Sequence, residues 1–413
     1  MSTSQIEIKT IFIGNLSKRF TGEIYALKNY SEFYNELHGL CRRVQVFAGT
    51  LKEWQLGYEF SNDVQLNKNI IPVLLPGNAP DTPFLAFIFN NLRIYFRLIY
   101  YCRNKNHYFI FLPSPMGLFG VLTTLIYQKK KSLGIYVGGH YEQEQKYEVR
   151  KSKFKKFMKD RLSHSIEKLV RYSISKSDYV ITSSYKYYYE HKDRGNIYLT
   201  APSINVDEFD LSNTGQEVLI EENKRSHVLT FCGELRHAKG VIDLLNAFIL
   251  LISDKQNRNY TLKIIGSGQA LPELINIVYQ NKIENKVYFC GQIKDKEQLK
   301  KELKNSTIFI LPSYSEGFPR VAYECFTLGI PTILSPVGGI PYLVEDNIHC
   351  LFVKPGDIYD IKKKIETLIS NRDLRARIIK NAKDVMVKNI FPRIRKEGSL
   401  AQMVVSMAEK YER

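Results

Sequence analysis

The chain alternates between short runs of β-branched and aromatic residues and longer stretches with helical spacing. Apolar runs at 10–14, 44–48, 70–75, 108–112, 133–137 and 179–182 are too short for helices and nearly unbroken, as strands buried on both faces are. A second series follows at 228–232, 262–265, 287–290, 308–311, 332–334 and 351–353. Strands separated by helical patterns make βαβ units on a parallel sheet, so this alternation predicts two doubly wound α/β halves. The polar stretch 207–226 reads as the linker between a first domain at 1–206 and a second at 227–390. Helical patterns close the chain, and the last of them, 391–413, is placed to cross back onto the first domain.

Composition supports this division. At 413 residues the chain is too long for one ordinary core and suits two domains of about 200 residues each. A hydrophobic fraction of 44% and a charged fraction of 24% are those of a globular protein, neither disordered nor membrane-embedded. The start, 1–10, carries Glu7 and no apolar core, so no secretory signal is read there and a cytoplasmic location is expected. The most apolar stretch, 83–102, is interrupted by Asn90, Asn91, Arg93 and Arg97, which argues for a partly buried helix rather than a membrane span. Six cysteines without a C-x-x-C pair fit free thiols in a reducing compartment.

Charge adds a question of partners. A net charge of +17 attracts phosphates, anionic lipid or nucleic acid without choosing among them. Much of it gathers in 151–176, where Lys153, Lys155, Lys156, Lys159, Lys168 and Arg171 alternate with Phe154, Phe157, Met158, Ile166, Leu169 and Val170. Two readings stay open for this amphipathic helix: a packed helix with a solvated basic face, or a helix lying on an anionic membrane surface. The basic residues join no recognised nucleic-acid reading motif, so no nucleic-acid partner is expected.

The densest chemistry lies in 311–331, LPSYSEGFPRVAYECFTLGIP. A buried strand ends at Leu311, a turn follows, and a helix is predicted from Pro319, a residue favoured at the first helical position. Glu316 and Gly317 therefore stand in the loop at the carboxyl end of a strand, where open α/β sheets bind ligands. Glu324 falls eight residues later, on the helix, and its carboxylate can reach the same crevice from the side. Paired carboxylates are good acceptors for vicinal hydroxyls, while the glycine and the helix start suit a diphosphate. The alternative is a capping acid and a solvated helix acid. Against it, Glu324 lies among Val321, Ala322, Tyr323, Cys325, Phe326 and Leu328, where a carboxylate needs a partner.

A second cluster, FCGELRHAKG at 231–240, follows the strand that opens the second half. Gly233 permits a tight turn, Lys239 is a mobile cation at the helix start, and Arg236 offers a forked contact to phosphate. Alone, this pattern also suits a solvated loop.

Together the two clusters resemble the retaining glycosyltransferase family 4, which has the GT-B fold: two Rossmann-like domains facing each other across a cleft. The Glu, seven residues, Glu pattern of that family is matched by Glu316 and Glu324 within EGFPRVAYE. The surrounding PS-x-x-EGF, the KG at 239–240, IIGSG at 264–268, VYFCG at 287–291 and VGGIPYLVED at 337–346 fit as well. The resemblance implies an acceptor-binding first domain and a donor-binding second domain. It also implies transfer of a sugar from a UDP- or GDP-linked donor to a saccharide or lipid-linked saccharide, with retention, in bacterial surface polysaccharide biosynthesis. Glu316 would hold the sugar hydroxyls, Glu324 the ribose, and Lys239 the leaving diphosphate. Backbone at Gly317 and Phe318 would touch the sugar, and the segment from Gly291 would meet the base. Two departures stand out: Glu234 occupies the place of the family's arginine, leaving Arg236 as its candidate substitute, and Tyr342 stands where an acid is commoner.

The first half carries less. Gly22, in a Thr-Gly-Glu turn after the first strand, resembles a shortened form of the family's glycine-rich loop. His140, after two glycines, is either a surface histidine or a partner of the sugar or acceptor. No Asp-x-Asp and no metal-ligand spacing occur, so no metal and no cofactor beyond the co-substrate are expected. Two other functions share this architecture: a nucleotide-sugar epimerase, which needs no acceptor, and a sugar-binding protein without catalysis.

Overall fold

The structure is a computed structural model that describes residues 4–18, 24–52, 63–65, 70–76, 93, 95–100, 106–127, 130–138, 153–200, 226–254, 259–397 and 399–411. The first lobe rests on parallel strands in the order β5 (Ile71–Pro76), β3 (Cys41–Lys52), β1 (Ser4–Lys18), β6 (Asn106–Leu112), β7 (Lys130–Val137), β8 (Tyr179–Thr182) and β9 (Ile197–Leu199). An antiparallel extension, β2 (Ile24–Leu27) and β4 (Asp63–Gln65), pairs with the end of β1. The second lobe has a fully parallel sheet in the order β12 (Val287–Gly291), β11 (Asn259–Ile265), β10 (Ser226–Cys232), β13 (Ile308–Leu311), β14 (Thr332–Leu334) and β15 (Leu351–Phe352).

Both sheets are doubly wound. Each grows outward from one strand through its next two, then restarts on the opposite side. In the second lobe that reversal falls between β10 and β13, and it opens a crevice at the carboxyl ends of the two strands. Every apolar run predicted as a strand overlaps one of these strands. The short strands β2, β4 and β9, of four, three and three residues, were not predicted.

The central strands are apolar because helices cover both faces: β8 and β13 are buried at every position, while the edge strand β12 is exposed at Tyr288. In the second lobe Leu229, Phe231, Ile264 and Phe309 meet Leu244, Leu245 and Phe248 of helix Val241–Ser253. Each such side chain contributes about 1.5–3 kcal/mol by leaving water. The closing helix Leu400–Lys410 starts at a capping box between Ser399 and Gln402. It places Ala401, Val404 and Ala408 in one cluster with Phe33, Tyr34 and Leu37 of helix Lys28–Leu40. The end of the chain thus packs on the first lobe.

The basic helix spans Lys153–Lys176, and the side chains of 153–160 lie outside the described residues. Over its carboxy-terminal half the apolar stripe is used by the lobe itself: Val170 and Ile174 are core residues beside Leu133 and Ile135. Arg171 is paired with Glu167 at 3.1 Å and Glu190 at 2.7 Å. This half matches the packed reading. The linker at 207–226, apart from Ser226 at the start of β10, is outside the described residues. Among those residues no helix is long and apolar enough to cross a membrane.

Candidate functional site

Two loops meet at the reversal between β10 and β13. The first leaves β10 at Gly233 and ends in the single turn His237–Lys239, so Lys239 precedes the helix rather than opening it. Gly240 follows with φ of 67°, and a Cβ there would lie 2.1 Å from the carbonyl oxygen of Pro312. Only glycine lets this loop lie against the one leaving β13. The amide of Tyr314 donates to the carbonyl of Ala238 at 2.9 Å, and the Tyr314 hydroxyl donates to Asp243 Oδ2 at 2.9 Å. Burial raises the Asp243 carboxyl above its ordinary range, and the Tyr314 hydroxyl opposes that rise.

This clasp brings together residues 77 positions apart. Lys239 Nζ donates to Glu316 Oε1 at 2.7 Å, and Ser313 Oγ donates to the same oxygen at 2.8 Å. Glu316 is 8% exposed, so a carboxylate is held out of water by one ammonium and one hydroxyl. Ser313 was not singled out from the sequence, because a serine in a turn carries no signal of its own.

Glu324 is 3% exposed within helix Arg320–Leu328, which excludes the solvated alternative. Pro319 is the residue before the helix, one position earlier than predicted. Burial first, and the charge of Glu324 second, raise the Cys232 thiol at the end of β10 to about 12. The same two causes raise the Cys325 thiol well above its ordinary value. Glu324 is therefore within electrostatic reach of the β10 terminus, while Glu316 stands at that of β13.

The remaining glycines stack along the sheet edge. Gly233 donates to Ile265 O at 3.0 Å, and Gly266 donates to Gly291 O at 2.8 Å, so the loops after β10, β11 and β12 form one rim. Arg236 Nε lies 3.0 Å from Glu234 Oε2, so the residue that departs from the family pattern and its candidate substitute are paired with each other. Gly317 accepts a hydrogen bond from the amide of Gly339, and Phe318 stacks on Tyr323 with ring centroids 4.3 Å apart. The glycine pair Gly338 and Gly339 thus supports the loop bearing Glu316. The motif that contains them was noted in the sequence, but no role followed from it. Gly22 and His140 lie outside the described residues. Among the described residues no group of three or more His, Cys, Asp or Glu side chains is arranged to hold a metal ion.

The family described as glycosyl transferases group 1 matches residues 217–385, which include Lys239, Glu316 and Glu324. Over that segment the chain is similar to the group 1 glycosyltransferases. An uncharacterized glycosyltransferase of Methanocaldococcus jannaschii is 29% identical to it over 202 residues, 47% of this chain and 50% of that protein. The GalNAc-alpha-(1->4)-GalNAc-alpha-(1->3)-diNAcBac-PP-undecaprenol alpha-1,4-N-acetyl-D-galactosaminyltransferase of Campylobacter jejuni is 29% identical over 205 residues, 49% of this chain and 53% of that protein. The chain spans about half the length of these curated relatives. HepE of Anabaena, solved in complex with UDP, superposes with a TM-score of 0.58 at 15% identity and 98% coverage of both chains. That likeness identifies the fold of the chain as GT-B, as the resemblance implied.

Proposed function

We propose that the chain is a retaining glycosyltransferase that moves a sugar from a UDP- or GDP-linked donor to a saccharide or lipid-linked saccharide acceptor in bacterial surface polysaccharide biosynthesis. The observation that carries this reading is the part-buried Lys239–Glu316 pair at the sheet reversal, 2.7 Å from nitrogen to oxygen. A donor placed there presents hydroxyls to Glu316 and its diphosphate to Lys239. As the anomeric bond breaks, negative charge grows on the departing phosphate, and an ammonium already oriented in a half-dry crevice stabilises that charge more than water does. Glu324 is assigned to the ribose, the Gly317–Phe318 backbone to the sugar, and the rim at Gly233 and Gly291 to the nucleotide, with Arg236 a second cation. By the family resemblance His140 is assigned to the sugar or the acceptor and Gly22 to the donor, both outside the described residues.

Relatives support the substrate classes. The fold neighbour HepE was solved with UDP, and the Campylobacter transferase is named for an undecaprenyl diphosphate-linked saccharide. Acceptors of that kind lie in a membrane, and the basic segment from Lys151 to Lys159 is the part of the first lobe assigned to an anionic surface, on the cytoplasmic side. The leaving charge is assigned to protein cations, so chelation by EDTA is expected to leave transfer unchanged.

Thermal unfolding against a panel of nucleotide sugars tests the donor. A ligand at about 100 times its dissociation constant adds about 2.7 kcal/mol, a rise of roughly 5–10 °C in the midpoint for a domain of this size. One base and one sugar should stand out, and the same donor should label a lipid-linked saccharide. If no nucleotide sugar shifts the midpoint, the donor site is misassigned. If the bound donor is epimerised with no acceptor present, transfer is the wrong reaction.

A further inference from the structure

Among the described residues, Tyr185 of the first lobe lies against the loop bearing Glu316. Tyr185 opens the helix Tyr185–His191, directly after β8 of the first lobe, and is 5% exposed. Its ring centroid lies 5.9 Å from that of Phe318, and its Cδ2 would be 3.3 Å from a Cβ at Gly339. Its hydroxyl is 3.1 Å from the hydroxyl of Tyr323, which neighbours Glu324 in sequence and carries the Phe318 ring on its face. One side chain of the first lobe thus touches three parts of the candidate donor site.

Tyr185 is itself tied down. Arg393, on the segment that returns to the first lobe, donates from Nη1 to the Tyr185 hydroxyl at 3.1 Å. Its Nη2 donates to Leu199 O at 3.0 Å and Thr200 O at 2.7 Å, both in the first lobe. A guanidinium only donates, so the Tyr185 oxygen accepts from Arg393, and the same hydroxyl is hydrogen-bonded to that of Tyr323. Burial raises both phenols above their ordinary range, so both remain neutral and the hydrogen-bonded chain persists.

We propose that Tyr185 is a positioning residue for the Glu316–Phe318 loop, fixing it in the frame of the first lobe through its ring and through a hydroxyl oriented by Arg393. The inference rests on the reading that this loop holds the transferred sugar. Catalysis would then require the loop and the lobe that carries the acceptor to be in register. A misplacement of about 1 Å at a reacting centre can cost on the order of a hundredfold in rate.

The test compares the full chain with Tyr185→Phe and Tyr185→Ala by three measurements: transfer kinetics with the donor found above, hydrogen exchange of the free protein, and the unfolding midpoint. Tyr185→Leu, which keeps more of the buried volume, stands in if Y185A does not fold. Y185A should lower kcat/KM by about thirtyfold, mainly in kcat, and speed exchange at 316–319 with 197–200 unchanged. Y185F keeps the ring and should lose roughly fivefold, the scale of one hydrogen bond. If exchange at 316–319 is unchanged in Y185A, or quickens equally at 197–200, Tyr185 is only packing and the proposal is overturned. A wild-type chain without transfer would strike the transferase reading instead, and the exchange result would still decide the positioning role.

Discussion

Glu316→Ala is expected to lower sugar transfer by about a thousandfold, the upper range for removing one group that acts on the transition state, while the chain remains folded. Glu316 is the acceptor that both Lys239 and Ser313 address, so its removal withdraws the contact to the sugar and releases the lysine at once. The cost to stability is much smaller. Hydrogen bonds to a charged group contribute about 2 kcal/mol, which corresponds to roughly 5 °C in the midpoint of a domain of this size. Lys239 has a side chain 19% exposed and can turn toward water once its partner is gone. Glu316→Gln separates geometry from charge. It still accepts from Ser313 but no longer attracts Lys239, and transfer should fall about a hundredfold. Initial rates at saturating donor, with circular dichroism as the check on folding, decide the matter. Near-normal transfer by the purified E316A protein would remove Glu316 from the site.

What was readable beforehand follows from how local each signal is. The inner strands of the second lobe, such as β13, are buried on both faces, so runs such as Ile308–Leu311 announced themselves by continuous apolarity, and the loops carrying chemistry fell directly after them. Glu316 and Glu324 were visible because one strand, turn and helix hold both within nine residues. The pairing of Lys239 with Glu316 could be suspected from the family pattern, yet no property of 231–240 alone distinguished it from a solvated loop. The contacts among Tyr185, Tyr323 and Arg393 were not readable at all. They join residues 138 and 208 positions apart, and a tyrosine at the start of a seven-residue helix looks like any other aromatic residue. Arg236 shows a different limit. Its charge suggested phosphate, whereas the fold gives it Glu234, two residues away, as an ion-pair partner.

Gly338→Ala should damage both the fold and the reaction, and the reason is the backbone of the Glu316 loop. Gly338 has φ of 58°, where an alanine is strained by about 1 kcal/mol. Space is the larger obstacle: a Cβ there would lie 1.5 Å from the carbonyl oxygen of Glu316 and 2.7 Å from its carbonyl carbon. Neither atom is the end of a flexible side chain, so the 316–317 peptide or the 337–340 turn has to move. A stability loss of about 3 kcal/mol is expected, in the range of overpacked interior sites, together with a fall of about a hundredfold in transfer as Glu316 leaves its place. Gly317→Ala is the contrasting variant. A Cβ at Gly317 meets nothing within 4 Å, so the midpoint should stay within about 2 °C of wild type. The added methyl instead occupies the space proposed for the sugar, and donor KM should rise by about tenfold, the scale of one misplaced methyl group in a pocket. Unfolding midpoints and donor kinetics on the two proteins separate the effects. A Gly338→Ala chain as stable and active as wild type would deny the contact between the two loops. Unchanged donor KM in Gly317→Ala would move the sugar away from that backbone.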